Sequence, residues 1–339
     1  MGCRNSKSTY KSNTPFLREP NNAKELVTVI HEDLNICAAV CTMQGWRGCQ
    51  EDRAVALNNL EGATRYLLCG VFDGHSGSDC STAVASLLFP TIIKSLNFEK
   101  GEIICAIKEG FLSMDNNLRA SNFVDGTTAI CAIVDEENIW VANCGDSRAT
   151  LCRNGIVVAL SIDHKPSQHE EAKRIRQAGG YVDLFDPSVP RVMAPNSGMA
   201  MATSRTLGDF HFKNDKSRSQ VEQIVSPEPT VMKMKRHRTD QFVVLASDGV
   251  WDVMSNQEVC DFLMDEFADS IQSDADPSNL PQHFVGEASK KILGRCLARG
   301  SMDNCSIIII DLRNGFAPTP PLPVNGESSD TENNESEIG

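Results

Sequence analysis

The sequence predicts one α+β domain of layered sheets and helices, spanning residues 26–313 of a 339-residue chain. Three observations carry that expectation. Short runs are almost wholly apolar and β-branched, longer stretches place apolar residues at helical spacing, and both ends differ in composition from the middle. Apolar residues make up 41% of the chain, enough for a sizeable core.

Taken in order, residues 1–25 are polar, mildly basic and aperiodic, and read as a flexible arm. Segment 65–72 (RYLLCGVF) suits a central strand buried on both faces. Residues 79–96 carry Val84, Leu87, Leu88 and Ile92 at helical spacing, and 102–119 carry Ile104, Ile107, Phe111 and Leu118. Segments 127–134, 139–151 and 156–160 are β-branched and apolar. Residues 135–138 separate the first two, and the Asn154-Gly155 hairpin signal separates the last, so an antiparallel meander is expected. Ser167-x-x-Glu170 and Ser255-x-x-Glu258 read as capping boxes opening two helices. Segments 241–246 and 306–312 are again central strands, and a last helix over 283–298 stops at Gly300. Residues 314–339 begin APTPPLPV and end GESSDTENNESEIG, a Pro-rich and then acidic disordered tail. Its PxxP spacings, Pro318 with Pro321 and Pro320 with Pro323, read as linker.

Composition narrows the function. Lys and Arg number 32 against 45 Asp and Glu, a net charge of −13. That balance argues against nucleic-acid binding, which needs basic stripes, and leaves carboxylates for hard cations. The thirteen cysteines show no CxxC pair and no zinc spacing. Cys69, Cys131, Cys152 and Cys305 sit in apolar runs, so the set reads as reduced thiols of a cytosolic protein. No apolar stretch approaches the length of a membrane-spanning helix, and the N-terminus has no signal-peptide core.

Four aspartates stand where an apolar strand gives way to a turn: Asp73 in CGVFDGHSG, Asp146 in ANCGDSRA, Asp248 in VVLASDGVWD and Asp303 in GSMDNCS. Any one alone reads as an ordinary Asx turn. Four together, each at the end of a rigid strand, suggest converging carboxylates whose repulsion a Mg²⁺ or Mn²⁺ ion relieves.

These residues resemble the 2C-type, metal-dependent protein phosphatase family over about residues 36–312. The motifs MQGWRGCQEDRA, VFDGHSG, DGTTA, VANCGDSRA, DHKP, EAKRIRQAGG, MATSRTLGDF, SPEPTV, LASDGVWDVMSNQEV and GSMDN stand in the family's order. The resemblance implies a four-layer fold: two stacked antiparallel sheets, helices outside, and two metal ions at one end. It implies that Asp73 bridges both ions and that the Gly74 carbonyl joins one. Asp248 and Asp303 would bind the other, while Glu51 and Asp52 hold metal-bound waters. Asp146 and Asp252, with Asp248, match a weaker third metal site. The implied activity is hydrolysis of phosphoserine and phosphothreonine in proteins by a metal-activated hydroxide at a binuclear Mg²⁺ or Mn²⁺ centre, with no phosphoenzyme. Arg47 offers a planar fork for two phosphate oxygens, and His75 is placed to protonate the leaving alkoxide. A monomer is expected, acting on phosphoprotein substrates.

Of the other histidines, His31, His169, His211, His237 and His283 are expected to be structural or solvated, and His164 lies in a family turn without an assigned role. His211 after LGDF, Met302 in GSMDN and the flap-like segment 183–200 depart from the family pattern and bear on substrate preference. That segment has no tryptophan, which argues against the plant hormone co-receptor subgroup. Two other classes are disfavoured. Cys41 and Arg47 stand at the C-x₅-R spacing of cysteine-dependent phosphatases, but the TMQGW between them is bulky and strand-like. A catalytically dead scaffold is expected to have lost a metal aspartate or the arginine, and none is missing.

The chain begins MGCRNSKS. Gly2 with Ser6 fits an N-myristoylation pattern and Cys3 is a palmitoylation candidate. Two acyl chains hold a protein stably on a membrane where one holds it marginally, and Arg4, Lys7 and Lys11 add attraction to anionic lipid. The expected location is the cytoplasmic face of a membrane.

Overall fold

A computed structural model describes residues 16–187, 189–195, 198–272 and 280–313. Two antiparallel sheets lie face to face. The first runs in the order Phe16–His31, Ile36–Arg47, Cys305–Asp311, Asp240–Ala246, Arg148–Arg153, Ile156–Ala159. The second runs Thr230–Lys235, Asn138–Cys144, Ala129–Val134, Leu67–Phe72, Arg53–Leu57.

The apolar runs explain the layering. Successive side chains of a strand point to opposite faces, so a wholly apolar strand must be covered on both. In CSIIIID, Ile308 and Ile310 face the second sheet, among Val40, Leu67, Val71 and Leu245. Ile307 and Ile309 face outward onto the helices Asn256–Gln272 and Leu280–Ala298, against Val259, Leu263, Val285 and Ile292. On the other side, Leu68, Phe72 and Ile133 meet Val84, Leu88, Ile107 and Phe111 of the helices Asp79–Ile93 and Ile103–Ala120. The result is the four-layer helix–sheet–sheet–helix arrangement.

Several expectations need correction. The arm expected over residues 1–25 gives way at Phe16 to an edge strand. Its exposed, polar residues and two register shifts leave no alternation to read. Segment 139–151 is two strands, Asn138–Cys144 in the second sheet and Arg148–Arg153 in the first, so the chain changes sheets around Gly145, whose φ is +130°. Segment 127–134 likewise breaks at Thr128. The helix expected from Ser167 begins at His169 with no side-chain cap, whereas Ser255 and Glu258 do form their reciprocal box. Cys152 and Cys260 are joined in a disulfide, so the expectation of thiols throughout fails at that pair; the other described cysteines are free. Residues 314–339, with their tail and PxxP spacings, lie outside the described residues.

Ile308 is fully buried between the sheets and pairs with both Val40 and Leu245. Ile308→Ala is expected to cost about 2–5 kcal/mol of stability. Urea unfolding followed by circular dichroism checks this: the midpoint should fall with an unchanged slope.

Candidate active site

Strand ends assemble the site. Leu67–Phe72 delivers Asp73. Thr128 pins its main chain, donating its N–H to the Asp73 carbonyl (2.9 Å) and accepting the Asp73 N–H on Oγ1 (3.3 Å). Gly74 and His75 form a short strand paired with Gly126–Thr127. Asp146 sits where the chain changes sheets. Asp248 opens the one-turn helix Asp248–Trp251, and Asp252 closes it. Asp303 stands just ahead of Asn304 and the strand Cys305–Asp311, which pairs with Asp240–Ala246, so Asp248 and Asp303 flank neighbouring strands. A Cβ on Gly249 would overlap the Asn304 carbonyl, which shows how closely these two loops approach.

A cavity of about 470 Å³ receives Arg47, Asp73, Gly74, His75, Asp146, Asp248 and Asp303 together. Arg191, Met199, His211 and Phe212 line it as well. Glu51, Asp52 and Asp252 do not line it but act electrostatically on residues that do. A cavity of about 510 Å³ beside Trp140 is of similar size, but its Asp33, Glu136 and Glu137 are exposed and it lies away from this cluster. Gly2 and Cys3 lie outside the described residues.

The electrostatics are those of a cation site. Burial, then Asp248, Asp52, Asp303 and Asp146, push the Asp73 carboxyl well above the usual carboxylate range. Burial, then Asp146, Asp303 and Asp252, do the same to Asp248. Asp52 is pushed up to about 7, by burial first, although Ser247 Oγ donates to it at 2.9 Å. Carboxylates that oppose one another's ionisation are satisfied by a hard divalent ion, so the donor set fits Mg²⁺ or Mn²⁺. Among the described residues no three acidic, histidine or cysteine side chains close on one point. Two of the carboxylates are instead turned onto side-chain cations, Asp303 Oδ2 onto Arg47 Nη2 (2.6 Å) and Asp146 Oδ2 onto Lys165 Nζ (2.7 Å).

His75 has a partner that the sequence did not disclose. Its Nε2 lies 2.9 and 2.8 Å from the two carboxylate oxygens of Asp209, in the LGDF turn. Burial opposes protonation of His75, but Asp209 outweighs it and raises the imidazole pKa. Asp209 is itself buried and is held below the usual range by His75, Thr206 and Lys213. Its left-handed backbone, φ +52°, is uncommon for a non-glycine residue. Thr206 Oγ1 donates to Asp209 (2.7 Å), and the fully buried Lys213 ties Asp115 (2.7 Å) to the Thr206 carbonyl (2.8 Å). Asn304 was also missed. It accepts the Glu51 N–H (2.9 Å) and donates to the Gln44 and Cys49 carbonyls (2.8 and 3.0 Å), clamping the loop that carries Arg47. The motifs MATSRTLGDF and GSMDN contain both residues, but only the folded contacts assign them work.

Cys41 is buried in the strand Ile36–Arg47, and burial pushes its thiol up to about 11, which removes the thiolate that C-x₅-R chemistry needs. His164 acquires a role. Its Nδ1 accepts the Gly145 N–H (3.1 Å), so its proton resides on Nε2, which donates to Thr230 Oγ1 (2.9 Å). A neutral His164 thus fixes the crossover that carries Asp146.

A family model described as protein phosphatase 2C matches residues 37–305. A Caenorhabditis elegans chain described as a probable protein phosphatase 2C is 36% identical over 312 residues, covering 89% of this chain and 81% of that one. Human protein phosphatase 1A is 33% identical over 296 residues, covering 82% and 71%. Among solved structures, a phosphatase from Toxoplasma gondii superposes with a TM-score of 0.71 at 25% identity, covering 86% of this chain and 96% of that one.

His164 generates a pH prediction. Burial, helped by Arg205, lowers its pKa to about 3. As pH falls below about 6.5 the unfolded chain takes a proton that the folded chain refuses, so stability declines until pH nears 3. His164→Gln, which cannot titrate, should be less stable at pH 7 but should decline more gently across that window, by about 1.4 kcal/mol less per pH unit. Melting temperatures of both proteins against pH check it; parallel curves would contradict a neutral, buried His164.

Proposed function

The chain belongs to the protein phosphatase 2C family and is a protein-serine/threonine phosphatase, and we propose that it hydrolyses phosphoserine and phosphothreonine by direct attack of water at a pair of divalent ions, without a phosphoenzyme. The observation that carries this reading is the meeting of Asp73, Asp248, Asp303 and Arg47 in one cavity at the strand ends. Asp73 would bridge the ions and the Gly74 carbonyl would join one. Asp248 and Asp303 would hold the other, with Glu51 and Asp52 on bound waters. When bound, the Mg²⁺ or Mn²⁺ pair supplies the Lewis acidity that makes water a nucleophile near neutral pH.

The chain's own groups do the rest. Arg47 reaches the cavity with its guanidinium on Asp303, and its buried Nε has no hydrogen-bond partner among the described residues. An unsatisfied buried donor is costly, and a phosphate oxygen would satisfy it. Asp209 engages His75 Nε2 and favours the imidazolium, leaving Nδ1 to protonate the serine or threonine alkoxide as it departs. Gly74 keeps the approach between the Glu51 carbonyl and Ser81 open, since a Cβ there would collide with both.

Two substitutions two residues apart test the assignment. Asp73→Ala should abolish divalent-ion binding and all turnover. His75→Gln should keep the ions and lower phosphopeptide turnover by roughly 10²–10⁴-fold, with a much smaller loss on p-nitrophenyl phosphate, whose leaving group needs no proton. Calorimetric metal titration and both assays decide it. Equal losses on the two substrates would remove the acid role, and full phosphopeptide activity after exhaustive chelation would sink the metal reading.

We also propose peripheral membrane attachment through acylation of Gly2 and Cys3, supported by the MGCRNSKS start alone. Gly2→Ala should move the protein from the membrane to the soluble fraction and Cys3→Ser should do so in part. An unmodified N-terminus by mass spectrometry, with wild type wholly soluble in its native cells, would overturn this.

A further inference from the structure

The edge strand Phe16–His31 pairs residue for residue with Ile36–Arg47 from His31 back to Lys24. Beyond that it meets its neighbour at only two further points, Asn21 opposite Gly45 and Phe16 opposite Arg47. Five steps of one strand are there set against two of the other, so the chain bulges at residues 17–20 and returns to reach Arg47. At the return the Arg47 guanidinium lies over the Phe16 ring, its central carbon 5.9 Å from the centroid. That is within the range of cation–π attraction. The same segment also acts on the Arg47 main chain. Asn21 Nδ2 donates to Gln44 Oε1 (3.1 Å), and Gln44 Nε2 donates to the Arg47 carbonyl (2.8 Å). Arg47 is thus held at its carbonyl by Gln44, at its guanidinium face by Phe16 and at Nη2 by Asp303.

We propose that Phe16 is a positioning residue of the phosphate subsite, its ring fixing the Arg47 guanidinium so that the start of the first strand sets how tightly the phosphoryl group is held. The proposal rests on the reading of Arg47 as the phosphate ligand and goes beyond it, because it assigns a part in substrate binding to the N-terminal segment. Phe16 is not among the residues that line the cavity, so it acts through Arg47. A guanidinium on a long flexible stem must be ordered before its fork can meet two phosphate oxygens. A ring that orders it beforehand removes that loss of freedom from the binding step. Asp303 restrains the same group, but in the two-ion reading its carboxylate also serves an ion. The restraint from Phe16 has no second duty and does not depend on whether ions are bound. An aromatic face also holds the guanidinium without neutralising it, which leaves its full charge for the phosphate.

The test is calorimetric binding of inorganic phosphate to the Mn²⁺-loaded full chain, with turnover of a phosphopeptide and of p-nitrophenyl phosphate alongside. F16A and F16L should weaken phosphate binding and lower kcat/KM on both substrates alike, by roughly 2–5-fold, the strength of an exposed cation–π contact. F16W and F16Y should keep wild-type values. Leucine fills much of the same space without a π face, so wild-type phosphate binding in F16L would overturn the proposal and leave Phe16 as packing. Mn²⁺ affinity should be the same in F16L and F16W. A fall in Mn²⁺ affinity alongside phosphate binding in F16L would overturn the proposal too, since the damage would then lie in the whole centre. In an R47A background F16A should bring no further loss, and a loss of undiminished size there would show that Phe16 acts by another route and defeat the assignment. R47A alone separates this proposal from its parent. If R47A binds phosphate as wild type does, Arg47 is not the phosphate ligand and both readings fall. A weakened R47A beside an unaffected F16A defeats the role of Phe16 alone.

Discussion

The constraint on which the rest depends is the repulsion among carboxylates buried at one end of an apolar sandwich. Asp73, Asp248 and Asp52 sit where desolvation and neighbouring charge both oppose ionisation. Such a cluster either takes up protons or gathers positive charge. The chain supplies part of that charge itself, through Arg47 on Asp303 and Lys165 on Asp146. The remainder is the demand that divalent ions meet. On the proposed two-ion reading, metal dependence follows from how the strands end, since the sheets that bury Ile308 and Val71 at their centre bring these acids together at their edge.

Fixing that cluster requires loops as stiff as strands. Thr128 holds the main chain of Asp73 on both sides, and its hydroxyl meets Ser147 Oγ at 2.8 Å, beside Asp146. Asn304 draws the Arg47 loop onto the Asp303 turn, and Gly249 lets the Asp248 helix approach that turn where no side chain would fit. Each tether joins residues far apart in sequence. A carboxylate displaced by an ångström changes a coordination site far more than it changes a stability, so these contacts matter more to ion binding than to folding.

The central strands and long helices were legible because covering an apolar run on both faces, or on one helical face, leaves a periodic trace. The edge strand Phe16–His31 left none: its residues are mostly exposed and its register slips. The segment read as one strand over 139–151 concealed the change of sheet, because Gly145 turns the chain without interrupting the apolar pattern for more than a few residues. That Asp73, Asp146, Asp248 and Asp303 meet at one cavity could be read from their place after strands. Asp209 could not: its work depends on a left-handed backbone and on a buried Lys213–Asp115 pair that no local pattern announces. The disulfide between Cys152 and Cys260 was equally hidden, since each residue reads as an apolar packing element.

The two walls of the cavity are built to different standards. The aspartates rise from sheets whose facing residues are almost entirely buried. The cavity is also lined by Arg191 and Met201 of the small sheet Tyr181–Asp183, Arg191–Met193 and Ala200–Met201, and by Met199 just before its last strand. That sheet rests on a separate small core of Ile175, Val192, Ala194, Met201, Phe212 and Val225. Leu184 and Phe185 beside it are exposed, Phe185 at 96%. A wall with few buried contacts can accept substitutions that would unfold the sandwich, because little apolar burial is lost when it changes. In the proposed function, the chemistry is thereby placed on the large core, and the part of the cavity free to vary on the small one. His211 marks the seam. It belongs to the turn that holds Asp209 on His75, and it also lines the cavity. A change there alters the cavity lining directly, while Asp209, held by Thr206, keeps its contact with His75, the proton donor of the proposed mechanism.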